Sequence, residues 1–313
     1  MSQYDVYGLG NALVDYEYKV TPEWLAENGI DKGVMTLMDE GQQAKVIAGI
    51  DSGAIKRASG GSGANSVIAL AQMGGRAFYT CKVAADEDGE FYAKDMADCA
   101  VANNIAPQAQ GITGKCLVLV TEDADRTMCT FLGITGELAE HEIDFDALQA
   151  SEYLYLEGYL VTSNSARQAA ITARKAAEQA GVKTALSLSD PNMVSFFKEG
   201  LQAMLGEGVD LLFANADEAR GMTGTETVEQ AAEELKKLAK TFAITLGAEG
   251  SLIFDGEKII SIAAVETAAV DTLGAGDMYA GAFVYALGKG MDYEAAGKLA
   301  SLASARMVAV YGP

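Results

Sequence analysis

The strongest constraint on the fold is an alternation of short apolar segments with helix-like segments along the middle and C-terminal parts of the chain. The segment at residues 209–214 is strongly apolar, which suits a strand buried on both faces of a sheet. The pattern predicts strands at residues 153–156, 182–188, 209–214 and 242–246, and helices at residues 166–180, 196–205, 228–240, 275–287 and 293–308. This order predicts an α/β protein with a mainly parallel sheet flanked by helices on both faces.

The composition supports a folded chain and restricts its ligands. Half of the 313 residues are hydrophobic and 21% are charged, which allows a sizeable core and excludes a disordered chain. The formal net charge is −21, so the chain as a whole repels nucleic-acid phosphates and anionic membranes. We therefore expect neither a nucleic acid nor a membrane as a partner, and any anionic substrate must be bound by a local arrangement of groups.

The cysteines and the single histidine do not form a recognisable metal motif. Cys81, Cys99, Cys116 and Cys129 contain no CxxC pair, and His141 is the one histidine. The first ten residues lack the basic and apolar pattern of a signal peptide, and no apolar run approaches the roughly 20 residues of a membrane span. We expect reduced thiols in a cytoplasmic protein.

Two regions, residues 11–39 and 116–132, contain extended stretches with little room for crossover helices. In the second region, two strand-like segments flank the polar turn at residues 122–126, which predicts a hairpin. We expect both regions to form a small antiparallel lid over the edge of the sheet. The rest of the chain would then form one large domain from residues 1–10, 40–115 and 133–313.

Residues 271–277, with the sequence Asp-Thr-Leu-Gly-Ala-Gly-Asp, lead directly into an apolar helix. The small residues Gly274, Ala275 and Gly276 allow the backbone to approach a ligand, and the free N–H groups of a first helical turn bind anions. A carboxylate at Asp277 would not help to bind an anion, but it can accept a proton from a hydroxyl group that attacks a phosphoryl group. The alternative is a glycine-rich helix start with an ordinary acidic residue in its first turn.

A second glycine-rich segment, residues 59–65, also precedes a helix. Its glycines are compatible with binding a phosphate or with closing the backbone on a polyol. The chain contains no GxxxxGK[ST] loop. Neither this segment nor Gly8-Leu9-Gly10 matches the GxGxxG fingerprint, which disfavours a nicotinamide-dependent oxidoreductase.

Polar residues follow two of the predicted strands. Asn11 and Asp15 follow the first strand, at the sheet edge where ligands bind in open α/β folds, and there they would hydrogen-bond sugar hydroxyls. An ordinary strand-end turn is the alternative. Asn215 and Glu218 follow the strand at residues 209–214, where they would orient the water ligands of Mg²⁺. A helix N-cap is the alternative there, and the two interpretations are compatible.

These four segments together resemble the ribokinase-like (PfkB) carbohydrate kinase family over essentially the whole chain. DTLGAGDMYAGAF is similar to the C-terminal signature of the family, and GGSGANSVIALAQMGG is similar to its N-terminal signature. The resemblance implies a ribokinase-like fold with a small β-rich lid over an acceptor site, and Asp277 as the general base of an ATP-dependent kinase. It also implies an anion hole formed by the backbone of Gly274, Ala275 and Gly276, and a phosphate contact from Arg126 on the lid. The implied acceptor contacts are Asp15, Gly60, Gly61 and Asn65. The residues implied to bind the nucleotide or Mg²⁺ are Asn215, Glu218, Thr245, Gly247, Gly250, Asp271 and Thr272.

Within the family, several segments resemble adenosine kinases, at residues 10–30, 155–164, 188–197 and 209–219. Strand alternation places Met35 and Leu37 on one strand face and Met128 and Thr130 on another. These side chains would form an apolar pocket for a base, with Tyr159 as a stacking residue, and ordinary lid packing is the alternative. The tripeptide Asp190-Pro191-Asn192 looks more like the pattern of sugar kinases, so a free sugar stays open as the acceptor.

These features predict transfer of the γ-phosphoryl group of ATP to a primary hydroxyl of a ribose-containing acceptor, with a nucleoside such as adenosine preferred. A kinase of ribose, fructose or a related free sugar is the alternative, and a non-catalytic nucleoside sensor is a third interpretation. ATP and Mg²⁺ are the expected cofactors, with a monovalent cation such as K⁺ as a further option. We expect a monomer or a homodimer that pairs through the lid.

Overall fold

The computed structural model describes residues 2–51, 53–107, 110–123 and 125–310, so Ala124 of the predicted hairpin turn lies outside the described residues. The strands are β1 (Tyr4–Leu9), β2 (Leu13–Lys19), β3 (Met35–Leu37), β4 (Lys56–Gly60), β5 (Ala77–Thr80), β6 (Val101–Asn103), β7 (Gly114–Val120), β8 (Arg126–Phe131), β9 (Ser151–Glu157), β10 (Lys183–Ser187), β11 (Val209–Asn215), β12 (Ala239–Thr245), β13 (Ser251–Phe254) and β14 (Ile259–Ile262). They form two separate sheets.

The α-helices of the described residues are α1 (Pro22–Glu27), α2 (Glu40–Ala48), α3 (Ser62–Gln72), α4 (Glu87–Asp98), α5 (Phe145–Gln149), α6 (Asn164–Ala180), α7 (Pro191–Leu205), α8 (Ala216–Thr223), α9 (Val228–Leu235), α10 (Ala275–Gly288) and α11 (Tyr293–Met307). Among these helices, none is both long and apolar enough to cross a membrane.

The large sheet has nine strands in the order β14-β13-β12-β11-β10-β9-β1-β5-β6. All pairings from β12 to β6 are parallel, and only β13 and β14 pair in antiparallel fashion at one edge. Successive side chains of a strand point to opposite faces, so in β11 Leu212 and Ala214 pack on one face while Leu211 and Phe213 pack on the other. Helices α5 to α9 cover the first face, and α3, α4, α10 and α11 cover the second. The predicted fold class is confirmed.

The helices form close to where they were predicted, and the two main differences have identifiable causes. Helix α7 begins earlier than expected, since Asp190 caps it by accepting from the Asn192 backbone N–H and Pro191 occupies its first turn. Helix α9 ends at Leu235 and not at residue 240, because the backbone from Ala239 onward is taken into strand β12. Helix propensity alone does not reveal such competition with a neighbouring strand.

The small sheet has five strands in the order β3-β8-β7-β2-β4. The predicted hairpin is confirmed, because β7 and β8 pair in antiparallel fashion. The expectation of an antiparallel lid was only partly right, because the sheet is mixed: β2 pairs with β7, and β3 with β8, in parallel. Strand β4 also belongs to this sheet, although residues 56–60 were expected in the large domain. The proposed division into two domains stays a prediction.

The two faces of the small sheet have different neighbours. On the outer face, Leu117 and Leu119 of β7 pack with Leu25 of α1 and Val46 of α2. On the inner face, Cys116, Val118 and Val120 of the same strand pack with Leu273, which precedes α10. The alternation of β7 therefore buries both faces and holds the small sheet over the end of the large one.

Candidate active site

Two cavities lie where the large sheet meets the small sheet. The large cavity has a volume of about 780 Å³, and its lining includes Ser187, Asn215 and Thr245, the last residues of β10, β11 and β12. It therefore lies at the carboxyl ends of parallel strands, where open α/β sheets bind ligands. The small cavity has a volume of about 130 Å³ and lies between the small sheet and the ends of β1 and β9. The residues that line both cavities are Ser62, Met128, Tyr159, Leu273, Gly274 and Asp277.

Asp277 lies in the first turn of α10, at the junction of the two cavities. Its Oδ1 accepts a hydrogen bond from Ser62 Oγ at 2.6 Å, and its Oδ2 accepts one from Asn65 Nδ2 at 3.1 Å. Burial raises the pKa of the Asp277 carboxyl to about 6. A carboxylate in this state is ionised at neutral pH and still basic, which is the property required of a general base.

The start of α10 also supplies backbone N–H groups to the large cavity. Gly274 is the N-cap at a φ of 75°, a left-handed conformation that favours glycine, and Ala275 and Gly276 form the first turn. The Ala275 N–H donates to the Thr272 carbonyl at 3.2 Å, so this N–H is engaged within the turn. The N–H groups of the first turn of a 14-residue helix nonetheless provide a positive end that favours an anion.

Asn215 and Glu218 form a capping box at the start of α8. The Asn215 side chain accepts from the Glu218 N–H at 2.8 Å, and Glu218 Oε2 accepts from the Asn215 N–H at 2.9 Å. Glu218 is 4% exposed and lines the large cavity. Its pKa is raised to about 7, first by burial and then by the negative charges of Asp190, Asp277 and Asp217. The predicted N-cap is confirmed by these contacts, and a buried carboxyl group with other acidic side chains nearby faces the large cavity.

This carboxylate fits Mg²⁺ that is bound through water. The described residues contain no group of three or more His, Cys, Asp or Glu side chains able to hold a metal ion directly. Mg²⁺ prefers to retain several waters and to use one or two carboxylates together with substrate phosphates. Glu218 supplies such a carboxylate, and a monovalent cation stays a further option.

One end of the small cavity is polar. Asn11, Asp15, Gly61 and Asn65 line it, as predicted for acceptor contacts. Burial raises the pKa of the Asp15 carboxyl to about 7. Gly60 does not line the cavity but lies directly behind Asp15, since a Cβ atom at Gly60 would be 2.3 Å from that carboxyl group.

The other end of the small cavity is apolar. Strands β3 and β8 pair so that Met35 lies opposite Met128 and Leu37 lies opposite Thr130. All four side chains line the cavity, as does Tyr159. The structure therefore brings these five residues together at one cavity, and their role in binding a base stays a prediction.

The predicted nucleotide residues divide into two groups. Thr245, Asp271 and Thr272 line the large cavity. Gly247 and Gly250 line neither cavity, and their role in nucleotide binding stays a prediction. Gly250 has a backbone reason to be glycine, because its φ is 98° and a Cβ atom would lie 2.0 Å from the Ile262 carbonyl oxygen.

Arg126, expected at the lid turn, is the first residue of β8 and lines the large cavity. Its guanidinium does not extend freely into that space. Nη1 lies 3.2 Å from Glu17 Oε2, and Nη2 lies 2.6 Å from Asp271 Oδ2. The structure therefore brings Arg126 to the predicted place with two ionic partners that sequence reasoning did not identify.

Sequence reasoning also missed Glu157, the last residue of β9 and a lining residue of the small cavity. Glu157 is fully buried, and its Oε1 accepts from the Asn11 N–H at 2.7 Å while its Oε2 accepts from the Gly63 N–H at 2.6 Å. Burial raises its pKa to about 7. A carboxylate at the end of an apolar strand was a visible signal, but its two partners are distant in sequence.

Known proteins resemble this chain over most or all of its length. The model of the pfkB family of carbohydrate kinases matches residues 43–313. The crystal structure of adenosine kinase from Sinorhizobium meliloti is 35% identical, with a TM-score of 0.94, and the match covers 100% of this chain and 96% of that one. The "probable sugar kinase protein" from Rhizobium etli is 31% identical, also with a TM-score of 0.94, over 100% of this chain and 95% of that one.

A further relative is similar over nearly its whole length, at lower sequence identity. Adenosine kinase from Saccharomyces cerevisiae is 25% identical over 97% of this chain and 95% of its own length. Three observations indicate the same family: the large, mainly parallel sheet, the two cavities that meet at Asp277, and the family match over residues 43–313. The chain therefore belongs to the pfkB family of carbohydrate kinases, and it is a phosphotransferase that acts on a hydroxyl group of a carbohydrate or nucleoside.

Proposed function

We propose that this protein is a nucleoside kinase that transfers the γ-phosphoryl group of ATP to the primary hydroxyl of a ribose, with adenosine as the preferred type of acceptor. The observation that carries this proposal is the small cavity, which is polar near Asp15 and Asp277 and apolar near Met35, Leu37 and Met128. A nucleoside has the same two ends, a polyhydroxylated sugar and a flat ring with a large apolar face. A free sugar would leave the apolar end unfilled.

The arrangement supports direct transfer between the two cavities. Asp277 takes the proton of the acceptor hydroxyl, whose oxygen forms a bond to the γ-phosphorus as the bond to the bridging oxygen of ADP breaks. The N–H groups at the start of α10 stabilise the negative charge of the transferring group. Mg²⁺ bound through water at Glu218 would neutralise charge on the ATP phosphates.

The lining of the small cavity also argues against an acceptor that already carries a phosphate. Of the described residues that line it, none is Lys or Arg, whereas Asp15, Glu157 and Asp277 are acidic. A second phosphate would therefore meet like charges without a counter-charge. We expect fructose 6-phosphate to be a poor acceptor.

The alternative of a free-sugar kinase would require Asp190 and Asn192 in the acceptor site. Neither residue is among those that line the small cavity. Asp190 instead caps α7 through the Asn192 N–H, and its Oδ2 accepts from the Tyr159 hydroxyl at 3.4 Å. These contacts favour the nucleoside, although relatives named as sugar kinases are comparably similar to the chain.

The deciding experiment measures ADP formation from Mg·ATP with adenosine, inosine, guanosine, cytidine, ribose, fructose and fructose 6-phosphate, each with and without K⁺. Saturable turnover with a nucleoside and none with free ribose would support the proposal. Turnover with ribose or fructose alone would make the protein a sugar kinase. Adenosine binding by calorimetry without any turnover would favour a sensor, and the Asp277→Asn variant serves as the control for contaminating kinases.

Activity should decrease at acidic pH. Because the pKa of Asp277 is about 6, the carboxylate that accepts the proton is present above this pH and is lost as the pH falls through it. We expect kcat/KM for the acceptor to be level near pH 8 and to decline below pH 6, measured at saturating Mg·ATP. A profile that stays flat from pH 8 to pH 5 would exclude Asp277 as the base.

A further inference from the structure

Arg126 occupies an unusual position for a basic residue beside an anion site. Its side chain is 7% exposed, and it lines the large cavity together with Gly274 and Gly276. Its two terminal nitrogens are paired with different carboxylates, Glu17 at 3.2 Å and Asp271 at 2.6 Å. The Arg126 guanidinium therefore contacts one carboxylate on each of two sides at the wall of the large cavity.

The two carboxylates come from opposite sides of the cleft between the sheets. Glu17 belongs to β2 of the small sheet, and its side chain is 15% exposed. Asp271 precedes α10, and its side chain is 2% exposed. Asp271 is itself held in place, because its Oδ1 accepts from the Leu273 N–H at 3.0 Å and its own N–H donates to the Val308 carbonyl at 3.1 Å. Ion pairs with so little solvent contact are screened weakly and hold their geometry.

A guanidinium that is ion-paired with two carboxylates can still bind an anion. It carries five N–H donors in a rigid planar fork, and contacts with two carboxylates leave donors on the remaining edges. The long arginine side chain would otherwise sample many rotamers, and contacts at both terminal nitrogens select one of them. The carboxylates thus fix the direction in which the free donors point.

We propose that Glu17 and Asp271 are positioning residues, which hold Arg126 at the large cavity so that its remaining N–H groups contact the transferring phosphoryl group. The phosphoryl contact assigned to Arg126 rests on the proposed function as a kinase. Glu17 lines neither the large nor the small cavity, so its effect on turnover must pass through Arg126. The effect of a Glu17 variant should therefore disappear when Arg126 is also replaced.

The test is a pair of double-mutant cycles on kcat, Glu17→Gln with Arg126→Gln and Asp271→Asn with Arg126→Gln. Each positioning variant alone should lower kcat by about 10- to 100-fold, the loss typical of a small displacement of a catalytic group. In the Arg126→Gln background, neither should cause a further loss. KM for the acceptor should change little, because its polar contacts near Asp15 are unaltered.

The matched control is Lys32→Gln, which removes the ion pairs of Lys32 with Asp123 and Asp125 on the turn of the same hairpin. It should leave kcat unchanged. Equal losses with and without Arg126, or an equal loss in the Lys32 variant, would overturn the proposal. The cycles use whichever acceptor is turned over, so a failure of the nucleoside proposal gives a separate result.

A second variant covers the case in which a carboxylate variant does not fold. Arg126→Lys keeps the charge, but a single ammonium group cannot reproduce the fork that meets both carboxylates. A loss of kcat at an unchanged melting temperature would support positioning of the guanidinium. Full activity in this variant would contradict it.

Discussion

Replacing Asp277 by asparagine is expected to lower kcat by about 10² to 10⁴-fold, the usual contribution of a general base. The variant keeps the size and shape of the side chain, and its amide can still interact with Ser62 and Asn65, so the free energy of unfolding should change little. The loss should appear in kcat more than in the KM values, because the proton is transferred only during the reaction. Steady-state kinetics with the accepted substrate measures it.

The matched control is Asp98→Asn, the same chemical change on an exposed residue of α4 that pairs with Lys94 at the surface and lines neither cavity. This variant should have the kinetics of the parent protein. Near-normal turnover of Asp277→Asn would remove Asp277 from its catalytic role. A loss of turnover accompanied by a large drop in melting temperature would instead assign it a structural one.

The second large effect concerns stability and involves Glu157. Replacing it by alanine leaves the N–H groups of Asn11 and Gly63 without their acceptor in a fully buried place. Each unsatisfied buried donor costs about 1–3 kcal/mol, so the free energy of unfolding should fall by about 2–6 kcal/mol. Denaturant unfolding followed by circular dichroism gives this value.

The destabilisation by Glu157→Ala should depend on pH in a defined direction. The folded-state pKa of Glu157, about 7, lies above the ordinary value of 4.5. Its contribution to stability is therefore fully present below about pH 4.5 and decreases as the pH rises through 7. We expect the difference between parent and variant to be larger at pH 6 than at pH 8.

Glu152→Ala is the matched control, because Glu152 lies on the same strand but its side chain is 32% exposed and pairs with Lys183 at the surface. It should change the free energy of unfolding by no more than about 0.5 kcal/mol. If Glu157→Ala changes the free energy of unfolding equally little, the two backbone N–H groups have found other acceptors. The hydrogen bonds of Glu157 with these two segments are then not important for the fold.

The large sheet was predictable from the sequence because its information is local. Strands such as β11 are strongly apolar segments between helix signals, and helix α9 starts directly after its own cap, Thr227. The glycine-rich start of α10 with Asp277 is likewise contained in a few consecutive residues. Periodicity and capping are properties of short segments, so a single sequence reveals them.

The small sheet was only partly predictable, because strand pairing is not local. The β7–β8 hairpin was visible from its short polar turn. The parallel pairing of β2 with β7, and the recruitment of β4, join segments that lie far apart along the chain. Nothing in the composition of these strands specifies which neighbour each one selects.

Sequence reasoning alone was sufficient for the α/β class, for the helix start that bears Asp277 and for several residues that line the small cavity, among them Asp15, Met35 and Met128. The contacts between distant segments that complete the site are visible only in the three-dimensional structure. Glu157 accepts from Asn11 and Gly63 at separations of 146 and 94 residues. Arg126 meets Asp271 across the cleft between the two sheets. A hydrogen bond or ion pair between distant segments depends on where the fold brings them, and no short stretch of sequence encodes that distance.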